Sequence, residues 1–208
     1  MNKFIKVSGV VTMIVCTAVF FTGCSSEAEG KTASENTAVE TQAAIVDIDA
    51  PIAELPMMIT SAGQSADFDI AKTLMDKAGL SYDTNSTLQP GELGDIKTLV
   101  VSVGGSSKGL GAAGIDANDE VKRIESVVTE AKEKGIKVIA LHTGGEGRRG
   151  DLSDKFVDGV MPLADYMIVV STGDSDGYIS GIAIENDIPM ASLGQIADVI
   201  GALQKTFK

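Results

Sequence analysis

The chain has 208 residues, 44% apolar and 22% charged, a globular composition that argues against a disordered or fibrous protein. Seventeen basic residues against 29 acidic ones leave a net charge of −12, which argues against nucleic acid as a partner, because that affinity comes largely from Lys and Arg on phosphates. Two Cys, one His and no Trp argue against a disulfide scaffold, a His- or Cys-rich metal site and a broad aromatic platform.

Residues 1–23 read as a signal peptide. Lys3 and Lys6 supply the positive start, and Val7 to Phe21 is apolar apart from small polar residues. That stretch is short for a transmembrane helix, which needs roughly 20 apolar residues. It ends in Phe21-Thr22-Gly23-Cys24, which resembles a bacterial lipobox: an apolar residue, two small ones and a Cys that is lipidated and becomes the new N-terminus. The expectation is a membrane anchor through lipidated Cys24, on the extracytoplasmic side of a bacterial envelope. Cys16 lies in the part removed, so no disulfide can form within one mature chain. Residues 24–50 are an acidic tether. Glu27, Glu29, Glu35, Glu40, Asp47 and Asp49 stand against a single Lys31, with too little apolar surface to order the segment.

Residues 51–208 are expected to form one α/β domain. A first strand is predicted over Pro56–Thr60. Phe68, Ala71, Leu74, Met75 and Ala78 recur at helical spacing, closed by Gly79. Leu80–Asp83 suits a short edge strand, and Thr84–Asp95 is a turn-rich connection around Pro90-Gly91. Thr98–Val103 is a buried strand. Val121, Ile124, Val127, Val128 and Ala131 mark the next helix, ended by Gly135. Lys137–Leu141 is a strand. Leu152, Phe156, Val160 and Leu163 mark a helix with Asp151 as its N-cap. Tyr166–Val170 is a strand, Asp176–Glu185 a helix, Ile188–Ala191 a last strand, and Ile196, Val199, Ile200 and Leu203 line a closing helix. Near-continuous apolar strands alternating with helices imply a mostly parallel sheet of five or six strands, covered on both faces as a three-layer αβα sandwich. The connection before the Leu99 strand is poor in helix. That favours the flavodoxin-like order 2-1-3-4-5 with a sixth strand added, the Rossmann-like order being the alternative.

Ligands of such sheets bind beyond the carboxyl ends of the strands. Four Gly/Ser-rich loops fall there: Ser61–Ser65, Gly104–Gly114, His142–Gly150 and Ser171–Gly177. Gly lets backbone N–H groups approach a ligand, hydroxyls add short-range donors, and helix N-termini favour an anion. Lys108, Arg148 and Arg149 add positive charge in an acidic protein. The expected site for a small anionic solute is therefore Ser61, Gly63, Gln64, Ser65, Gly104, Gly105, Ser106, Ser107, Lys108, His142, Gly144, Gly145, Arg148 and Arg149.

No cofactor and no metal is expected. Gly109–Gly114 matches the dinucleotide fingerprint as a string, but five residues separate it from the strand, and the next strand ends in Leu141-His142 with no acid for a ribose. Thr60–Ser65 resembles a flavodoxin phosphate loop, with Ala62 where a hydroxyl is usual. Flavin sites of that family commonly stack the ring on Trp or Tyr, and here there are only Tyr82, Tyr166 and Tyr178. Asp174 and Asp176 lack the twelve-residue calcium-loop pattern and suit helix capping. An enzyme alternative is a hydrolase using Ser106 or Ser107 as nucleophile, His142 as base and Asp174 or Asp176 as orienter, without any nucleophile-elbow motif behind it.

Ser102–Ile115, Leu141–Gly150 with Leu152–Phe156, and Thr60–Ser65 together resemble a bacterial domain-of-unknown-function family found on secreted chains and lipoproteins. The resemblance spans Pro56 to Lys208. It implies an envelope location and an α/β fold, and it brings no activity. The sequence thus predicts a lipid-anchored extracytoplasmic protein that binds a small anionic solute and serves a membrane transporter or sensor protein. The alternatives are the hydrolase and an interaction module without a ligand.

Overall fold

The computed structural model describes residues 48–207. The signal peptide, Cys24 and the tether up to residue 47 lie outside them. Six strands form one parallel sheet: β1 (Met57–Ala62), β2 (Asp83–Thr84), β3 (Thr98–Val103), β4 (Lys137–His142), β5 (Tyr166–Val170) and β6 (Met190–Leu193). Their order is β2-β1-β3-β4-β5-β6, the flavodoxin-like order with a sixth strand. The chain steps outward from β1 to β2 and then back across to β3, so the switch point lies between β1 and β3.

Six α-helices cover the two faces: α1 (Asp67–Ala78), α2 (Ser107–Ala113), α3 (Ala117–Glu133), α4 (Asp151–Val160), α5 (Tyr178–Glu185) and α6 (Asp198–Thr206). Strand side chains alternate between the faces. Ile59, Val100, Ile139, Leu141 and Ile168 pack with Leu74 and Met75 of α1 and Val199 and Leu203 of α6. Leu99, Val101, Val138, Ala140 and Met167 pack with Ile124, Val127 and Val128 of α3, Phe156 and Val160 of α4 and Ile179 of α5. β3 is buried at all six positions, which is why it reads as an unbroken apolar run. Among the described residues no helix is long and apolar enough to cross a membrane.

Several expectations are corrected. Gly104–Gly114 is not all loop, because Ser107–Ala113 is the helix α2. Ser106 caps it by accepting from the Gly109 N–H, and Gly114 closes it in the left-handed region at φ 67°. Its glycines hid it, and one of them is required sterically: a Cβ on Gly109 would collide with the carbonyl of Gln64. Asp151 is not a cap. Gly150 stands at that position, and the Asp154 carboxylate accepts from its N–H at 3.2 Å. The edge strand is only Asp83–Thr84, and the last strand sits two residues later than predicted. α4 stops at Val160, and Met161–Leu163 continues as a 3-10 turn around Pro162, which cannot donate to the helix.

Candidate functional site

Beyond β1 and β3 the two chains stay stitched together. The Gly104 N–H donates to Ala62 O at 3.0 Å, and the Ser106 N–H to Gly63 O at 2.9 Å. The turn between them is tight. Gly63 has φ 96°, and a Cβ there would lie 2.6 Å from both Gly104 O and the Phe156 ring. Only glycine fits. Gln64 follows at φ 54°, a left-handed position for a non-glycine residue.

That turn is held from below by two charged residues the sequence reading passed over. Glu120 and Arg123 of α3 are buried, at 0% and 8% exposure. Glu120 Oε1 accepts from the Gly63 N–H (3.1 Å), from Gln64 Nε2 (2.9 Å) and from Arg123 Nη2 (2.8 Å), and Oε2 accepts from Arg123 Nε at 2.6 Å. Arg123 also donates to Leu88 O and Ser61 O, each at 2.6 Å. A signal was present: Glu120 lies on the same helical stripe as Ile124, Val127 and Ala131, where a charge must be paired.

On the α1/α6 face, Asp67 opens α1 at 3% exposure. Its Oδ2 accepts from Ser65 Oγ (3.1 Å) and from Arg148 Nε (3.0 Å), and Ser65 Oγ accepts from the Asp67 N–H in turn. Gly104 and Gly144 make room for this pair. A Cβ on Gly104 would lie 2.9 Å from Asp67 Oδ2, and one on Gly144 would lie 2.7 Å from it and collide with the Arg148 stem. Ser61 and Ser102, near the ends of β1 and β3, lie on this same face by alternation with Ile59 and Val100, and Thr143 is the first residue past β4. Ser61 Oγ accepts from the Gln64 N–H. Ser102 Oγ and Thr143 Oγ1 are buried and have no hydrogen-bond partner. Thr60 Oγ1 is a third such group, on the α3 side. Buried hydroxyls are normally paired, so two orphans at the ends of neighbouring strands are unspent hydrogen-bonding capacity.

The two arginines differ. Arg149 is fully engaged. It donates through Nε to Asp154 (2.8 Å), through Nη1 to Gly173 O (2.7 Å) and Asp176 (2.9 Å) and through Nη2 to Asp176 (3.1 Å), with its guanidinium 5.0 Å from the Tyr178 ring centre. Asp176 and Asp154 hold its pKa above the ordinary arginine value. It clamps the β4 and β5 loops to α4. Arg148 spends Nε on Asp67, and its Nη edge makes one long contact, 3.5 Å to Gly147 O, among the described residues. Its side chain is 31% exposed.

The other sequence-predicted residues take these places. Gly105 donates to Ser153 Oγ at 3.1 Å in the interior. Ser106 caps α2, while Ser107 and Lys108 lie exposed on its first turn. Gly145 is left-handed at φ 57°, and a Cβ there would lie 2.5 Å from Thr172 Oγ1. His142 is wholly buried, on the α3/α4 side, with Nδ1 3.1 Å from Val103 O and Nε2 3.4 Å from Gly145 O. Burial holds its pKa below the ordinary histidine value, although those carbonyls and Asp67 pull it upward. Its hydrogen bonds go to neither Ser106 nor Ser107, so the nucleophile–base pair of the hydrolase reading is not assembled. Asp174 Oδ1 accepts from the Ile179 and Ser180 N–H groups at the start of α5, and Asp176 is paired with Arg149. Three helix N-termini at this end are therefore served by the protein's own carboxylates, Asp116 at α3, Asp154 at α4 and Asp174 at α5, while Asp67 adds negative charge to the first turn of α1 without capping it.

No curated protein matches the chain. A family model matches residues 54–207, the whole of the sheet and its helices, and the chain belongs to that family, the domain of unknown function DUF6305.

Proposed function

We propose that this protein is a lipid-anchored extracytoplasmic domain of the bacterial envelope that binds a small anionic solute at the carboxyl end of its sheet, as an accessory to a membrane transporter or sensor protein. The observation that carries the site is the pair of buried, unpartnered hydroxyls of Ser102, on the face where Arg148 meets Asp67, and Thr143, just past the end of β4. Asp67 fixes the guanidinium through Nε and leaves the Nη fork directed elsewhere, a geometry suited to a carboxylate or phosphate. Gly104 and Gly144 keep the floor open enough for that arrangement. Arg149, which looked equivalent in sequence, is a structural clamp in this reading.

The anchor rests on Lys3, Lys6 and the Phe21–Cys24 motif. Mass spectrometry of the membrane-extracted protein is expected to find residues 1–23 removed and Cys24 acylated, and Cys24→Ser is expected to block both. An unmodified Cys24 in the wild type would overturn the anchor. The site is tested by thermal shift of the full chain in detergent against carboxylates and phosphates. A ligand at a hundredfold excess over Kd stabilises the fold by about 2.7 kcal/mol. A shift that Arg148→Ala removes and Lys108→Ala leaves intact is expected. No shift with any anion would overturn it and favour a protein partner for the same loops.

A further inference from the structure

We infer that the solute is a zwitterion, of the α-amino acid class, held with its carboxylate on the Arg148 Nη fork and its ammonium on Asp67. This rests on the reading of the loop end as an anion site. An anion alone leaves half of that site unused. Asp67 is at 3% exposure, and only its Oδ2 is engaged, by Ser65 Oγ at 3.1 Å and Arg148 Nε at 3.0 Å. Its Oδ1 accepts no hydrogen bond among the described residues. Oδ1 is not among the sealed, unpartnered polar atoms, so a solute can reach it, and a carboxylate in so dry a setting favours a charged donor. The free edge of the guanidinium and the free oxygen of the carboxylate belong to one ion pair, joined through Nε and Oδ2 at 3.0 Å, so one small solute can span both. An α-amino acid presents an acceptor group and a charged donor separated by a single carbon, which is the complementary pattern. The orphan hydroxyls of Ser102, near the end of β3, and Thr143, just past β4, are unspent donors at this end of the sheet.

The surrounding charge points the same way. Glu146, Asp151, Asp154, Asp174 and Asp176 stand on these loops and helix starts. Against them is Arg149, paired with Asp154 and Asp176, and beside it Arg148, paired with Asp67, which leaves Glu146, Asp151 and Asp174 facing Lys108. A dianion would meet net repulsion there, whereas a zwitterion enters without a net charge.

The test is a thermal-shift series on the full chain in detergent. The probes are the twenty common amino acids one at a time, with propionate, ethylamine and inorganic phosphate at matched concentrations. One or more amino acids are expected to raise the melting midpoint, by roughly 5–10 °C at a hundredfold excess over Kd, and the three partial probes are expected to leave it in place. Asp67→Asn is expected to weaken the best amino acid at least about tenfold, as loss of a charge-assisted bond does. Arg148→Gln is expected to abolish its binding. Propionate or phosphate binding as well as any amino acid would overturn the zwitterion and leave the anion site standing. Ethylamine binding as well would overturn it in favour of a cation site. No shift with any probe would overturn the zwitterion and the anion site together.

Discussion

Arg148 and Arg149 are adjacent in sequence and opposite in role. Arg149→Ala removes hydrogen bonds to Asp154, Asp176 and Gly173 and is expected to cost about 2–3 kcal/mol in urea unfolding. Arg148→Ala removes one ion pair with a third of the side chain exposed, and is expected to cost less than about 1.5 kcal/mol while removing ligand-dependent stabilisation. Equal losses for the two would contradict the assignment. His142 gives a second prediction at this scale. In the unfolded chain the ring titrates near 6.5, and in the fold it takes a proton only at lower pH, because burial disfavours the charged form. Below about 6.5 the unfolded state therefore binds more protons, so His142 destabilises the fold progressively as the pH drops towards its folded value. The chain has one His, so the slope of midpoint against pH between 7 and 5.5 should flatten in His142→Gln. An unchanged slope would mean that the ring titrates normally. None of these roles is readable locally: Asp67 and Arg148 are 81 residues apart, and the partners of Arg149 follow it by up to 27.

Among the elements, the strands were legible and the short helix was not. β3, β4 and β5 are buried on both faces, so each is an apolar run that needs no periodicity to be found. α2 is seven residues of Ser, Lys, Gly, Leu and Ala, and its reason for existing is its contact with the turn after β1. Gly109→Ala puts a methyl group into the Gln64 carbonyl. It is expected to cost about 1–3 kcal/mol despite the better helix propensity of Ala. A gain in stability would show that α2 is free to shift. The Glu120–Arg123 pair ties α3 to that same turn. Glu120→Ala leaves a buried guanidinium uncompensated and is expected to cost about 3–5 kcal/mol, and Glu120→Leu with Arg123→Met is expected to recover part of the loss. Equilibrium unfolding of the single and double variants checks both values. The sequence signal for this pair was a charge on an apolar stripe, and its partners, Gly63 and Gln64, lie more than fifty residues away.

Across the described residues, one sheet serves two cores. Phe156 and Leu203 are both wholly buried, on opposite faces. Phe156→Ala is expected to cost about 3–5 kcal/mol and Leu203→Ala about 2–5. Because the strands are shared, both variants should unfold in one transition. Without Trp, the natural probe is Tyr emission, with Tyr82 and Tyr166 packed on the α1/α6 side and Tyr178 starting α5 on the other. Two separated transitions would show that the layers melt independently. The sheet order was legible because a helix-poor connection follows β2 and helices cross between the other strands. The excess of acid that argues against nucleic acid also has a use on this scale, since several of those carboxylates cap the helices that start at the carboxyl end of the sheet.

The two-residue length of β2 leaves most of β1 at the margin of the sheet. On that margin the Ile59 carbonyl accepts from the Asn85 N–H, and the Ser61 carbonyl, two residues on, accepts from Arg123 Nη2. A guanidinium thus occupies the position of a neighbouring strand's amide. It ends the ladder with a side chain that no second copy of the chain can extend, which is the problem every open sheet margin has to solve. The stopper is delivered from 62 residues downstream. A chain interrupted before α3 would present that carbonyl bare, and the fragment is expected to self-associate through it.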